Sequence, residues 1–311
     1  MSINGKTQNQ KVIQKDVFKR MGTNSRGLDL NGPFFKKIEA QMSNEEWGYQ
    51  AGMADGDGHF RQPNEMNKIG YELKLCDREP VQFLADLYGT SLSVITYPKN
   101  KNYQKAYRTM LYGQRALHFM TAVCPLLIEK RKPVTKLINQ VAPDYHPPKI
   151  AMDLNSIGSQ LGYIAGFFDS EGSVQCRKAY KKKNKEVYIQ RWVNLYNTDP
   201  RPLKKIQRFL TTPPIKWDKK NVPILIDKKE KLMDLKKNGE PRKVLYQLRI
   251  LVPHQLTFMA LLNPLLKIKR KANKLDAFKT LRSIDIMIDS KKFPNYPIRP
   301  SKKKGLTQRI K

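Results

Sequence analysis

Cysteine is scarce in this chain, acidic residues are few, and long apolar runs are missing. The three cysteines among 311 residues, Cys76, Cys124 and Cys176, show no metal-ligand spacing and cannot all pair within one monomer. That excludes a disulfide framework and fits reduced thiols in an intracellular compartment. No apolar stretch reaches the ~20 residues that a membrane-spanning helix needs. The opening Met1-Ser2-Ile3-Asn4-Gly5-Lys6 lacks the apolar core of a signal peptide. The expectation is an intracellular, reducing location without a membrane; organelle (mitochondrion or chloroplast), prokaryotic and viral settings all stay open. Only 27 acidic side chains oppose 59 basic ones, leaving a formal charge of +32. Such an excess implies a polyanionic partner, because phosphate contact releases condensed counterions. The lysines are spread along the chain rather than placed beside one apolar anchor, which favours nucleic acid over an anionic membrane. Composition alone also allows a ribosome-associated or scaffold protein.

What the chain does have is a repeat. Tyr49-Gln50-Ala51-Gly52-Met53-Ala54-Asp55-Gly56-Asp57-Gly58 returns in altered form as Tyr163-Ile164-Ala165-Gly166-Phe167-Phe168-Asp169-Ser170-Glu171-Gly172. Each copy reads as a helix ending in acid, small residue, acid, glycine. Ser43 and Glu46 have capping-box spacing before the first copy, and Asn155-Ser156-Ile157-Gly158 precedes the second. The repetition continues. Leu73-Lys74-Leu75-Cys76-Asp77-Arg78-Glu79-Pro80 parallels Leu195-Tyr196-Asn197-Thr198-Asp199-Pro200-Arg201-Pro202, each reading as strand end, Asp-led turn and helix (Val81 to Leu87, Leu203 to Leu210). Pro125-Leu126-Leu127-Ile128-Glu129-Lys130 parallels Pro264-Leu265-Leu266-Lys267-Ile268-Lys269. Alternating segments at Ser91 to Tyr97, Tyr107 to Tyr112 and Val244 to Val252 supply further strands.

The fold class expected is α+β: two αββαββα units related by a pseudo-twofold axis, each an antiparallel sheet with helices on one face. The expected divisions are a basic N-terminal extension over 1–42, a first half over 43–142, a proline-containing linker over 143–154, a second half over 155–290 and a basic tail over 291–311. The second copy is longer at the lysine-rich loop Arg177 to Lys185 and at Lys216 to Lys243.

Ala51, Gly52, Ala165 and Gly166 carry little side chain, so the two motif helices are expected to meet there and form the seam between the halves. Gly58 and Gly172 are expected to let the backbone turn out of the helix into a strand. Asp57 and Glu171 then stand at neighbouring helix C-termini, where macrodipoles and mutual repulsion disfavour both charges. A divalent cation reverses that. Magnesium, satisfied by a few carboxylate oxygens, water and phosphate, fits best, with manganese able to substitute. Two such acids suit hydrolysis of two nearby phosphodiesters. Asp55 and Asp169 read instead as hydrogen-bonding groups at the seam.

The paired segments Gln50 to Gly58 and Ile164 to Gly172 resemble the signature of the LAGLIDADG homing endonucleases, in the single-chain form with two motifs. The resemblance spans roughly residues 44 to 285. It implies a saddle whose sheets lie in the DNA major groove, and cleavage of both strands across the minor groove leaving four-nucleotide 3′ overhangs at a long, nearly asymmetric site. It also implies a monomer that starts homing of its own intron or intein. It places the metal-binding catalytic acids at Asp57 and Glu171, and the basic catalytic residues at Lys130 and Lys269. A polar residue common in the family at the end of the second strand is replaced by Cys76 and Thr198, with Asn197 adjacent.

Strand alternation nominates Arg61, Gln62, Lys74, Gln175, Arg177, Gln190, Gln247 and Arg249 to reach base edges. Lys178, Lys181, Lys182, Lys183, Lys185, Lys219, Lys220 and Lys228 suit phosphate contacts. Tyr97, Tyr107, Tyr112 and Trp217 could stack on bases or pack on the sheets. Two alternatives remain: an RNA-binding maturase that assists group I intron splicing on the same scaffold, and a catalytically inert, sequence-specific DNA-binding protein.

Overall fold

The computed structural model describes residues 29–62, 69–96, 105–142, 156–181, 186–226 and 244–273, with the side chains of 176–190 and 226 outside that description. In chain order the first half comprises α1 (Pro33–Gln41), α2 (Asn44–Gly56), β1 (Gly58–Arg61), β2 (Gly70–Leu75), α3 (Arg78–Tyr88), β3 (Ser93–Ile95), β4 (Ala106–Tyr112), α4 (Gln114–Val123) and α5 (Arg131–Val141). The second comprises α6 (Ile157–Glu171), β5 (Gly172–Lys181), β6 (Glu186–Asn197), α7 (Pro200–Thr211), β7 (Ile224–Ile226), β8 (Tyr246–Ile250) and α8 (Val252–Leu262). The αββαββα order is present twice. Two antiparallel four-stranded sheets among the described residues run β1-β2-β4-β3 and β5-β6-β8-β7, the same order in both halves. No helix among these residues is long and apolar enough to cross a membrane.

Local chemistry sets the ends of the helices. Ser43 accepts a hydrogen bond from the Glu46 amide at 3.2 Å while Glu46 accepts from the Ser43 amide at 2.9 Å, a complete capping box on α2. Ser156 caps α6 through the Ser159 amide at 3.0 Å. Helix α3 stops at Gly89, whose φ of 59° is left-handed and costs glycine nothing.

Each sheet has one buried face. Tyr71 and Leu73 on β2, opposite Leu111 and Thr109 on β4, point to the core; Val193, Leu195, Leu248 and Ile250 do so in the second sheet. Helices cover these faces; the other face of each sheet carries exposed residues such as Lys74 and Gln175 beside the buried polar groups Glu72, Asn194 and Gln247.

The segment read as an N-terminal extension contributes to this core. Helix α1 buries Phe34, Phe35 and Ile38, and the Phe35 ring stacks on His118 of α4 with centroids 4.5 Å apart. Each such side chain contributes about 1.5–3 kcal/mol of burial, so the packing of the first half begins at Phe34, not at Ser43. The sequence around it is basic and hides the short apolar face. The expected tail and linker lie outside the described residues, as do 182–185 and 227–243 in the two long second-half loops.

Candidate active site at the helix seam

Helices α2 and α6 pack side by side along their length. The approach is so close that a Cβ on Gly52 would stand 2.1 Å from the Tyr163 carbonyl oxygen, and one on Gly166 would stand 2.0 Å from that of Tyr49. Gly48 and Gly162 meet Ser159 and Glu45 backbone oxygens in the same way, at 2.2 and 2.0 Å. The seam is therefore a stripe of glycines at every fourth residue, one helical turn apart. Ala51 and Ala165, expected at the seam with Gly52 and Gly166, are fully buried, but the backbone contacts belong to the glycines.

Gly58 and Gly172 are there for room rather than for a turn. Gly172 has an ordinary φ of −81°, and a Cβ on it would meet Phe168 at 2.4 Å; one on Gly58 would meet Ala54 backbone at 2.7 Å.

Each motif sends a tyrosine across the seam to the other motif's first acid. The Tyr49 hydroxyl donates to Asp169 at 2.8 Å, and the Tyr163 hydroxyl donates to Asp55 at 2.8 Å. Asp55 also accepts from the amides of Ile128, Glu129 and Lys130, and Asp169 from those of Lys267 and Ile268. These buried carboxylates are consumed by structure. Each ties its own helix to the opposite helix and to the loop after α4 or α8. Sequence reasoning passed over both tyrosines, although each stands six residues before its own motif's first aspartate.

The second acids stand at the helix ends. Asp57 is the C-cap of α2 and Glu171 is the last residue of α6. The two helix ends are close: a Cβ on Gly56, beside Asp57, would lie 2.0 Å from Ser170 Oγ and 3.3 Å from Glu171 Cγ. Asp57 is exposed at the rim of the seam, yet the protein packed around the helix end partly desolvates its carboxyl and raises it above its usual range, against the opposing charges of Lys271 and Lys130. Burial first, and then the charge of Asp57, push Glu171 up to about 7. Both effects penalise a second negative charge at this spot.

Lys130 and Lys271 offset part of that penalty. Lys130 Nζ donates to the carbonyls of Ala54 at 2.9 Å, Gly56 at 2.8 Å and Gly58 at 2.8 Å. All three ammonium protons are thus committed to the C-terminus of α2, where a cation also meets the negative macrodipole end. At α6 the equivalent bonds, to Phe168 and Asp169 carbonyls at 2.8 and 2.6 Å, come from Lys271. Lys269, the residue indicated by aligning the two proline-led segments, is exposed. The backbone around Lys267 and Ile268 keeps that alignment through Asp169, but the lysine reaching the helix end sits two residues later. Burial pushes Lys271 down to about 8, against the attraction of Asp169.

Among the described residues no group of three or more His, Cys, Asp or Glu side chains could cage a metal. A cation here would have two protein carboxylates and would complete its shell with water and phosphate. That donor set fits magnesium, which keeps several waters and needs near-octahedral oxygen. At the second-strand ends, Cys76 and Thr198 are exposed, while Asn197 is bonded to Glu129 across the halves at 2.8 Å.

The open sheet faces carry part of the proposed reading set. Register puts Arg61, Glu72 and Lys74 on the open face of the first sheet, with Arg61 in an ion pair with Glu72 and Lys74 exposed. Gln62 follows β1 and is exposed. Tyr112, one of the candidate stacking aromatics, shares that face; His59 and Arg108 do so as well and were missed, although β4 alternates visibly. In the second sheet Gln175 is exposed, Gln247 accepts no such freedom and bonds the Tyr196 hydroxyl at 3.2 Å, and Arg249 bonds Asn194 at 3.4 Å. The backbone pairs Arg177 with Gln190. The side chains of Arg177, Lys178, Lys181 and Gln190, and all of Lys182, Lys183, Lys185, Lys228 and Tyr97, lie outside the described residues. Lys219 and Lys220 are exposed on a 3-10 turn before β7. Tyr107 packs partly against the core, and Trp217 is buried, stacked on His254 at 4.6 Å.

No protein-family model matches this chain, and no curated protein matches it. Solved structures similar to it include the LAGLIDADG meganuclease I-AabMI bound to uncleaved DNA, 13% identical, covering 78% of this chain and 91% of that one at a TM-score of 0.46. I-CpaMI bound to uncleaved DNA is 10% identical over 78% and 92%, at 0.47. The I-LtrWI LAGLIDADG homing endonuclease bound to target DNA is 11% identical over 80% and 94%, at 0.45. Likeness of this order assigns neither family nor activity.

Proposed function

We propose that this chain is a site-specific, double-strand DNA endonuclease acting as a monomer. The observation that carries the proposal is the meeting of Asp57 and Glu171 at paired helix ends, between two open sheet faces, in a chain of net charge +32. The two halves bind successive parts of a long duplex, and the seam axis lies across its minor groove. Basic and amide side chains on the sheets position and read the DNA, as the alternation of Arg61, Lys74, Gln175 and Arg249 supports. Bound magnesium, or manganese in its place, supplies Lewis-acid polarisation of a phosphate and a water of lowered pKa.

The protein's share is positional. Asp57 and Glu171 hold the cation and set the spacing of the two reacting phosphates, one on each strand, so that 3′ overhangs result. Lys130 and Lys271 fix the helix ends that carry the acids and limit the repulsion between them. The dry, glycine-lined seam keeps those ends from drifting apart. In this reading cleavage of an uninterrupted locus starts homing of the intron or intein that encodes the chain.

The test is incubation of supercoiled plasmid carrying that uninterrupted locus, or a target selected from randomised duplexes, with magnesium or with EDTA. Linear product in magnesium alone is expected. A bound but uncut plasmid in magnesium would overturn the assignment.

A further inference from the structure

Arg115 differs from the many surface cations in being buried and unpaired. It is 6% exposed, yet among the described residues its guanidinium has no hydrogen-bond acceptor and no carboxylate partner. What it does meet is the face of the Phe34 ring, 5.6 Å away. Burial pushes its pKa down, and no acid opposes that shift. Buried charges are ordinarily paired, because an isolated ion is costly to remove from water.

Its place adds to the cost. Arg115 is the second residue of α4, at the positive end of the helix macrodipole. Helix side chains lean toward their own N-terminus, so the guanidinium is carried back toward the helix start. Gly113 is the N-cap and brings no side chain to that start; its φ of 56° suits glycine. The first backbone bond of α4 runs from the Leu117 amide to the Gly113 carbonyl. Among the described residues the amides of Gln114, Arg115 and Ala116 therefore have no acceptor. Helix α1 adds a second uncapped start, since Gly32 is its N-cap and Phe34, against the guanidinium, is its second residue.

The second half fills the same place without a cation. Pairing Pro125 with Pro264 carries Phe119 onto Phe258 and Arg115 onto His254. There the donors are absent or taken. Pro253 has no N–H, the His254 amide bonds the Leu251 carbonyl at 3.0 Å, and the His254 ring stacks on Trp217. The buried cation and the row of free amides belong to the first half, so duplication does not account for them.

We propose that the start of α4, with Arg115, is a binding site for a phosphate group. A phosphate accepts from several amides at once and takes a guanidinium edge in two parallel bonds. Its negative charge offsets both the desolvation of Arg115 and the macrodipole. A carboxylate, with two oxygens, would engage the guanidinium and leave most of the amides unused. The terminal guanidinium nitrogens, unlike Nε, are not sealed from solvent, which gives the anion a way in.

Two sources offer that group. The site directly follows Tyr112, which closes the Arg61–Gly70–Tyr112 row at the end of the first sheet away from Asp57. A duplex laid along that sheet brings backbone phosphates to its rim, and free phosphate reaches the same point from solution. Only the duplex source rests on the proposed function.

Equilibrium dialysis of the full chain against labelled inorganic phosphate tests the site. Arg115→Met should lose one phosphate per chain, and Lys132→Met, at an exposed cation on α5, should lose none. Arg115→Lys keeps the charge without the planar fork and should hold that phosphate several-fold more weakly, which keeps the test decisive if Arg115→Met fails to fold. If the duplex supplies the phosphate, the Arg115 variants should also bind a selected target roughly tenfold more weakly, with a salt slope smaller by about one. Unchanged duplex binding beside the lost phosphate assigns the site to free phosphate. Undiminished phosphate uptake by both Arg115 variants, or equal losses in Arg115→Met and Lys132→Met, would overturn the proposal. A chain that binds no duplex at all would sink the endonuclease reading and leave the dialysis result to decide the site.

Discussion

The two halves agree at the seam and diverge at the rim. Inside, Tyr49 and Tyr163, Asp55 and Asp169, and Gly52 and Gly166 exchange roles pairwise, with matching 2.8 Å bonds and matching backbone approaches. Outside, the cap of one helix end comes from Lys130 and that of the other from Lys271, and the start of α4 holds an unpaired Arg115 where α8 holds a stacked His254. The difference has a physical cause. At the seam each residue must fit both its own half and the other, so a change on one side strands a buried partner. A flexible lysine can reach the same carbonyls from more than one position, and a helix start away from the seam is free to change its donors.

The largest test of that comparison is at the glycines. Gly52→Ala and Gly166→Ala place a methyl against a backbone oxygen that cannot retreat, so each should cost about 3 kcal/mol or more. The two losses should be similar, and Ala165→Gly should cost only ~1 kcal/mol. Urea denaturation reads all three. Unequal glycine losses would mean that the seam is less symmetric than its bonds suggest.

The lysines come next. Lys130→Met and Lys271→Met should each cost about 2 kcal/mol, because charge-assisted bonds to helix-end carbonyls are lost. Lys269→Met should stay within ~0.5 kcal/mol, as exposed substitutions do. A larger effect at Lys269 than at Lys271, measured by thermal unfolding, would restore the simpler alignment.

Cross-seam tyrosines follow. Tyr49→Phe and Tyr163→Phe each remove one bond from an aspartate that keeps its amide donors, so about 1–1.5 kcal/mol is expected for each. The double variant should be additive, since the pairs share no partner.

The smallest effect concerns acid. His118 is buried between Tyr88 and Glu39, at 2.9 and 3.1 Å, and burial pushes it down to about 4 from 6.5. The fold therefore resists charging it. Its contribution is complete above pH 6.5 and is lost as pH falls from there toward about 4. In His118→Gln that part of the acid dependence should vanish from the first half. An unchanged acid-denaturation curve would place the sensitivity elsewhere.

Much of this architecture was legible because the chain is duplicated. One Asp-x-Asp-Gly is a weak signal, but two copies followed by matching strand, turn and helix landmarks fixed both the αββαββα order and the opposed acids Asp57 and Glu171. Three things were hidden. Helix α1 is short and lies in basic sequence, so Phe34, Phe35 and Ile38 did not read as core. The glycine stripe extends to Gly48 and Gly162, outside the stretch that carries the resemblance. Lys271 is invisible to an alignment that tracks backbone, because side-chain reach compensates for the shift. Sheet-face residues were easier to place by parity than to assign a contact, as the Arg61–Glu72 and Gln247–Tyr196 pairs illustrate.

The most direct test of the central claim separates holding DNA from cutting it. Asp57→Asn and Glu171→Gln remove one negative charge each from the paired helix ends while keeping shape. Measured on the same selected target in magnesium, both variants should bind as tightly as the unaltered chain and yield no double-strand break. Linear product from either at the unaltered rate would contradict the account.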